Sequence, residues 1–97
     1  MIEIIQSPAF RKWLSALRDV DARARIHVRL DRMQEGNVGD VKSVGDGVSE
    51  ARIPYGPGYR LYFIRRGHTL IIMLAGGDKS SQLRDIKKAK QLAQLWR

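Results

Sequence analysis

The chain has 97 residues, with 18 Lys and Arg against 10 Asp and Glu, a formal net charge of +8 and no Cys. This length fits one small domain and excludes a deep cleft between two domains. The lack of Cys excludes disulfides and thiolate metal sites. The positive charge favours a phosphate polymer, an acidic partner or an anionic membrane surface, and the alternative is a solvated basic surface without a particular partner.

Nothing in the sequence indicates a membrane or export segment. Residues 1–5 lack the basic start and long apolar run of a signal peptide, and the longest apolar run, residues 70–75, is far too short to span a bilayer. No predicted helix combines a long apolar face with a fully basic one, which disfavours a membrane surface as partner. We therefore expect a soluble, cytoplasmic protein that contacts no membrane.

The N-terminal part predicts a short strand followed by an amphipathic helix. Residues 2–5 form the strand, and Ser7-Pro8 then combines a good N-cap with a residue favoured at the first helical position. The apolar residues at helical spacing are Phe10, Trp13, Leu14 and Leu17. We expect these four to face the core.

A second amphipathic helix follows residues 19–21, which supply a break and an N-cap. Its apolar positions are Ala22, Ile26, Leu30 and Met33, and Gly36 provides a stop. The short connection between the two helices predicts an antiparallel hairpin. Arg25, Arg29 and Arg32 share one flank of the apolar stripe, where they are either solvated or face phosphate.

The second half of the chain changes from helical to strand periodicity. Residues 37–48 are rich in Gly and Asp, have no clear period and predict a long loop. Three strands are then predicted at residues 49–53, 59–65 and 69–75, with turns at residues 54–58 and 66–68. The unbroken apolar run of the last strand indicates a central position in an antiparallel meander.

We expect residues 76–79 to leave the sheet. A last helix is predicted after them. Ser80 or Ser81 can cap this helix, and its apolar stripe is Ile86, Ala89, Ala93 and Trp96. The order of elements is strand, two helices, three strands and one helix. It predicts a single α+β domain over residues 1–97, with the helices packed on one face of a small antiparallel sheet.

Two sequence blocks carry a resemblance to a known family. They are EARIPYGPGYRLYF at residues 50–63 and LAGGDKSSQ at residues 74–82, the second followed by Asp85-Ile86 and Lys88-Ala89. Their sequence and separation resemble the HigB-like addiction-module killer family of the RelE/ParE superfamily, the toxins of type II toxin–antitoxin systems. The resemblance covers essentially the whole chain and implies a compact RelE-like fold.

The resemblance also implies partners and an activity. The partner would be a cognate antitoxin, often a helix-turn-helix DNA-binding protein, and operator DNA would be contacted only through it. The free toxin would cut messenger RNA on the ribosome, and no cofactor is expected because no Asp, Glu and His cluster has metal-ligand spacing. Two alternatives remain open, since fold alone does not decide function. One is a ParE-like poison of DNA gyrase, and the other is a degenerate toxin that only binds its antitoxin as a co-repressor.

Metal-independent RNA cleavage needs a base, an acid and cations around the phosphorane-like transition state. The resemblance implies that Arg60 contacts the scissile phosphate, where a guanidinium binds bidentately. It further places Arg52 near the 2′-hydroxyl or the phosphate, and Lys79 at the phosphate. Surface ion pairs of Glu50 with Arg52 or Arg60 are the competing structural interpretation.

The remaining candidates are weaker. Asp85 stands near the position where RelE-like enzymes often carry a Tyr, and it is either a proton acceptor or a residue that favours the helix N-terminus. Tyr62 and Tyr59 are candidates for stacking on RNA bases, and Arg25 and Arg29 are candidates for binding RNA. The two His residues, at positions 27 and 68, are expected to be structural or solvated, so the proton-transfer pair is not assigned.

Overall fold

Local capping sets the first two helices. In the computed structural model, which describes residues 1–96, β1 spans Glu3–Gln6, α1 spans Pro8–Ala16 and α2 spans Val20–Gln34. Ser7 Oγ accepts a hydrogen bond from the Phe10 amide at 3.0 Å, and the Asp19 carboxylate accepts from the amides of residues 21 and 22. Gly36 follows α2 with φ of 94°. Both predicted caps and the predicted stop are confirmed.

A five-stranded sheet organises the rest of the chain. The further elements are β2 (Val41–Gly45), β3 (Val48–Ile53), β4 (Tyr59–Arg66), β5 (Leu70–Asp78), a 3₁₀ turn (Lys79–Ser81) and α3 (Gln82–Leu95). The strand order is β1-β5-β4-β3-β2, in which β1 runs parallel to β5 and all other neighbours are antiparallel. The predicted α+β class, the meander of β3 to β5 and the interior position of β5 are therefore confirmed.

Two predictions for this part of the chain are wrong. The segment 37–48 is not one long loop, because β2 pairs with β3 and places Lys42 opposite Glu50. An irregularity between residues 43 and 45 breaks the alternation that would have shown this strand in the sequence. Residues 76–78 also do not leave the sheet, since Gly77 pairs with Arg60. Backbone pairing needs no side chain, so glycines do not by themselves end a strand.

The sheet carries an apolar core on each face. α1 and α2 pack on one face, against side chains that include Leu61 and Phe63 of β4. α3 packs on the opposite face, against side chains that include Tyr62 and Ile64 of the same strand. The prediction that all helices share one face is therefore wrong for α3. The apolar residues on both sides of β4 and β5 require cover on both faces.

The glycine pair in β5 lets the two layers approach the sheet. The Trp13 ring of α1 lies 2.2 Å from the point where a Gly76 side chain would begin. On the opposite face, Asp85 of α3 lies against Gly77 and leaves no room for a Cβ atom. Both helices thus sit directly on the backbone of β5. Within residues 1–96, no helix has the length and apolar run that a membrane crossing needs.

Substitution of Gly76 tests this close packing. We expect Gly76→Ala to lower the free energy of unfolding by about 3 kcal/mol, because the added methyl group must displace the Trp13 ring. Gly67→Asn is the control: Gly67 has open space and φ of 57°, which Asn tolerates. Urea denaturation of both variants measures the difference, and equal losses would contradict the packing described.

Candidate functional site

A buried carboxylate shared by two arginines forms the centre of the candidate site. Arg52 of β3 and Arg60 of β4 are opposite each other in the ladder and project from the α3 face of the sheet. Glu50 lies two residues before Arg52 and is 0% exposed. Its Oε1 is 3.2 Å from Arg52 Nε and 3.8 Å from Arg60 Nε. The Glu50 ion pairs expected as the structural alternative are present, and they bring the two guanidinium groups together.

Gln82, the first residue of α3, also contacts the Glu50 carboxylate. Gln82 Nε2 donates to Glu50 Oε2 at 3.0 Å, so both oxygens of Glu50 are engaged. Burial acts to raise the pKa of Glu50, but the hydrogen bonds from Gln82 and Arg52 and the nearby Arg60 charge outweigh it and lower the pKa overall. An ionised carboxylate with a lowered pKa is a weak proton acceptor. The geometry therefore favours Glu50 as the residue that positions the two arginines.

The backbone and Cβ of Lys79 lie against the turn between β3 and β4, close to Arg60. Its amide donates to the Pro57 carbonyl at 3.4 Å, and its Cβ lies 3.6 Å from the position that a side chain at Gly58 would take. Arg60 Nη1 lies 3.1 Å from the same position and donates to the Gly58 carbonyl at 2.8 Å. We call Arg52, Arg60 and Lys79 the cationic cluster. Its three charges exceed the single charge of Glu50.

The members of the cationic cluster differ in exposure. The Arg60 side chain is 13% exposed, that of Arg52 is 35% exposed, and Lys79 is exposed. A phosphate approaching from solvent would therefore meet Lys79 and Arg52 first and Arg60 at the base of the site. Partly desolvated cations attract an anion more strongly than fully hydrated ones, because the effective dielectric constant is lower.

Asp85 lies at the border of this cluster. It is 7% exposed, accepts a hydrogen bond from Ser81 Oγ through Oδ2, and has Arg84 Nε 3.9 Å from Oδ1. It stands over Gly77, which is paired with Arg60. The expected serine caps differ in detail, because the Asp78 side chain caps the turn by accepting from the Ser80 amide. That hydrogen bonding, led by the Ser80 side chain, lowers the pKa of Asp78.

The two tyrosines of β4 that are predicted to stack on RNA bases are both buried. Tyr62 is 0% exposed, and burial raises its pKa well above the usual value, with the Glu50 charge adding to the effect. Tyr59 is 8% exposed and packs edge-on to Trp13 at 6.3 Å between ring centroids. Neither ring offers a free face to a base, so the structure does not support the prediction that they contact RNA. Because β4 is buried on both faces, alternation along the strand does not show in the sequence that both rings are buried.

The two α2 arginines lie away from the cationic cluster, on the opposite side of the sheet. Arg29 donates to three backbone carbonyls, those of Val38, Arg52 and Asp40, at 2.7–2.9 Å. Desolvation by burial lowers its pKa. Arg25 lies over the Tyr55 ring, 4.4 Å from its centroid. The structure thus gives Arg29 a bracing role between α2, β2 and β3, and it does not bring either arginine to the cluster.

Substitution of Arg29 tests its bracing role. We expect Arg29→Ala to lower the free energy of unfolding by about 2 kcal/mol, because two partly buried carbonyls and one exposed carbonyl lose a charged donor. The neighbouring Arg32→Ala serves as the matched control, since Arg32 is exposed on the same helix. Chemical denaturation distinguishes the two, and an Arg29 variant as stable as the control would refute the assignment.

The buried carboxylate also predicts a pH dependence. Folding lowers the pKa of Glu50, so its stabilising contribution is present above its ordinary value of 4.5 and is lost as the pH falls below it. Glu50→Gln should therefore flatten the dependence of unfolding free energy on pH in acid, while Asp78 leaves a residual slope.

At neutral pH, Glu50→Gln should cost about 2 kcal/mol, less than a fully buried pair would lose, because solvent screens the exposed part of Arg52. Denaturation curves collected from about pH 3 to 7 check both effects. Glu3→Gln, at an exposed position of β1, is the control. Parallel pH curves for the wild type and Glu50→Gln would contradict the proposed ion network.

Fold and site together define a small basic α+β protein with a cationic cluster on the sheet, compatible with a RelE-like fold. The family model "Phage derived protein Gp49-like (DUF891)" matches residues 12–94. The chain therefore belongs to the Gp49-like family, a RelE/toxin-like family of toxin–antitoxin systems. A Haemophilus influenzae Rd protein described as an uncharacterized protein is 50% identical over 93 residues, covering 96% of this chain and 94% of that protein.

Proposed function

We propose that this protein is the toxin of a type II toxin–antitoxin module and that it acts as a ribosome-dependent, metal-independent endonuclease of messenger RNA. Membership of the Gp49-like family supports the module, and the resemblance of residues 50–63 and 74–82 to HigB-like toxins supports the narrower branch. The observation that carries the activity is the pair Arg52 and Arg60 held together by buried Glu50, with Lys79 beside them.

The cluster matches the charge that builds up during RNA cleavage. The ribose 2′-hydroxyl loses its proton and attacks the adjacent phosphorus, while the bond to the 5′-oxygen breaks and that oxygen takes up a proton. The products are a 2′,3′-cyclic phosphate and a free 5′-hydroxyl. Arg60 and Arg52 would bind the non-bridging oxygens, and Lys79 would add charge at the entrance. Asp85 is the candidate acceptor of the 2′-hydroxyl proton.

The proposed partners follow from the same assignment. An antitoxin, of the helix-turn-helix type in the HigB-like branch, would neutralise the protein and connect it to operator DNA. The ribosome would supply the messenger RNA in a fixed conformation. Fixed positioning of the reactants would compensate for the general acid, to which no residue is assigned.

A ParE-like poison of DNA gyrase is the second candidate, and the location of the histidines favours it. His27 is exposed on α2 and His68 is exposed in the turn between β4 and β5, so neither joins the cationic cluster. A protein that acts by binding gyrase needs no proton transfer. In that case the cationic cluster would be an interaction surface and not a catalytic centre.

Mapping of RNA 5′-ends after induction from a tight promoter separates these functions. We expect new cleavages within translated messages, and a decrease of about 100-fold or more for Arg60→Ala, because it removes a donor to the transition-state charge. Arg66→Ala is the matched control, an exposed arginine at the other end of the same strand.

Three outcomes would contradict the proposed function or its assigned site. Growth arrest without RNA cleavage, accompanied by DNA damage, would favour gyrase poisoning. The absence of both arrest and cleavage would favour a protein that only binds its antitoxin. Cleavage that is unchanged in Arg60→Ala would move the active centre away from the cationic cluster.

A further inference from the structure

A groove beside the cationic cluster shares Asp85 with the mechanism described above, whereas the rest of its lining has no part in that mechanism. Its volume is about 510 Å³, and it lies between α1, the last residues of β5 and the first turns of α3. The groove exists because β1 covers β5 only as far as Met73, so residues 75–77 form a free sheet edge on this side. It adjoins the cluster, since Gly77 in its wall pairs with Arg60.

The lining of the groove combines three kinds of chemistry. Trp13 provides an aromatic wall, and residues 75–77 provide backbone donors and acceptors on the free edge. The Asp78 amide and carbonyl are already hydrogen-bonded to Ser81 Oγ. Arg84 and Lys88, both exposed, stand at the α3 side. Asp85 supplies a carboxylate acceptor that Ser81 holds in place. An aromatic ring, hydrogen-bonding groups and peripheral cations are what proteins use to bind an unpaired base and its phosphate.

We propose that this groove binds one unpaired nucleotide of the RNA substrate, next to the phosphate held by the cationic cluster. The base lies against Trp13 and contacts the free edge of β5, and the phosphate contacts Lys88 and Arg84. This assignment rests on the proposed endonuclease function and adds to it a subsite that would select single-stranded over paired RNA. A paired base cannot enter, because its stacking neighbours and its partner occupy the space that Trp13 and the strand edge require.

The size of the free edge argues against an added protein strand as the occupant. Only residues 75–77 are free, whereas strands usually have five or six residues. The edge is closed at one end by Ser7, whose amide and Oγ donate to the carbonyls of Met73 and Leu74, and at the other by the turn that begins at Lys79. Trp13 and Asp85 also flank the edge on its two faces. A nucleotide fits such a short, enclosed edge better than an extended peptide.

Fluorescence of Trp13 tests the proposal without any need for cleavage. The variant Trp96→Phe leaves Trp13 as the sole tryptophan. The probe is a 2′-O-methyl hexa-adenylate, which has no free 2′-hydroxyl and cannot be cut. We expect saturable quenching of Trp13 by this oligonucleotide. Inorganic phosphate at the same concentration, and the same oligonucleotide in a duplex, should produce little change.

Two neighbouring lysines provide the matched control. Lys88→Glu, made in the Trp96→Phe background, should weaken binding about tenfold or more, because it places a negative charge at the phosphate contact. Lys87→Glu changes the net charge equally, but Lys87 does not line the groove, and it should weaken binding no more than about twofold. Both residues are exposed, so neither change threatens folding. Trp13→Leu, followed by fluorescence anisotropy of a labelled oligonucleotide, should weaken binding about tenfold.

Several results would overturn the proposal. These are an absence of quenching, equal weakening by Lys87→Glu and Lys88→Glu, or the same quenching with phosphate alone. A change in Trp13 fluorescence with the antitoxin but not with RNA would assign the edge to a protein partner instead. Quenching without RNA cleavage in cells would leave the subsite in place and refute the endonuclease, whereas cleavage without quenching would do the reverse.

Discussion

The ionised, fully buried Glu50 is the constraint on which the site depends. A carboxylate without access to water requires compensation for both oxygens, and the chain supplies it from three separate elements. Arg52 comes from β3, Arg60 from β4 and Gln82 from the start of α3. The same interactions that make burial of the charge tolerable therefore fix α3 against the sheet and place two guanidinium groups side by side. In the proposed function, the network that stabilises the fold would also bind the phosphate.

The glycine pair in β5 determines how closely that network can form. With no side chain at Gly77, α3 approaches until Asp85 touches the strand, and with none at Gly76 the Trp13 ring covers the other face. β5 is thus the layer shared by both cores, and its open end carries the groove beside the cationic cluster. The free edge is short and bordered by side chains on both faces, which protects it from pairing with another sheet.

Much of this architecture could be predicted from the sequence, because it depends on local signals. The caps at Ser7 and Asp19, the helical stripes and the alternation in β3 and β4 each leave a pattern within a few residues. What could not be predicted depends on contacts between distant segments. Glycines and an irregular register obscure the strand pattern of β2 in the sequence. The face that α3 covers depends on which side of β4 the other two helices leave uncovered.

The candidate site also has parts that the sequence predicts and parts that it does not. The arginines at positions 52 and 60 could be named from the sequence, and their pairing with Glu50 was one of two alternatives. The part played by Gln82 was missed, since a single Gln at a helix start carries no signal without its partner across the sheet. The charge of Arg29 predicts RNA binding, but its guanidinium donates to three backbone carbonyls and braces the backbone. Tyr59 and Tyr62 were selected as aromatic, and both are buried.

We propose that Glu50 holds Arg52 and Arg60 as one phosphate-binding pair. The most direct measurement is ¹⁵N-edited NMR of the arginine Nε–H groups during titration with the non-cleavable 2′-O-methyl oligonucleotide. We expect the Arg52 and Arg60 signals to shift together and saturate together, while those of the exposed Arg65 and Arg66 at the far end of β4 change little. Shifts at Arg65 and Arg66 with none at Arg52 and Arg60 would contradict it.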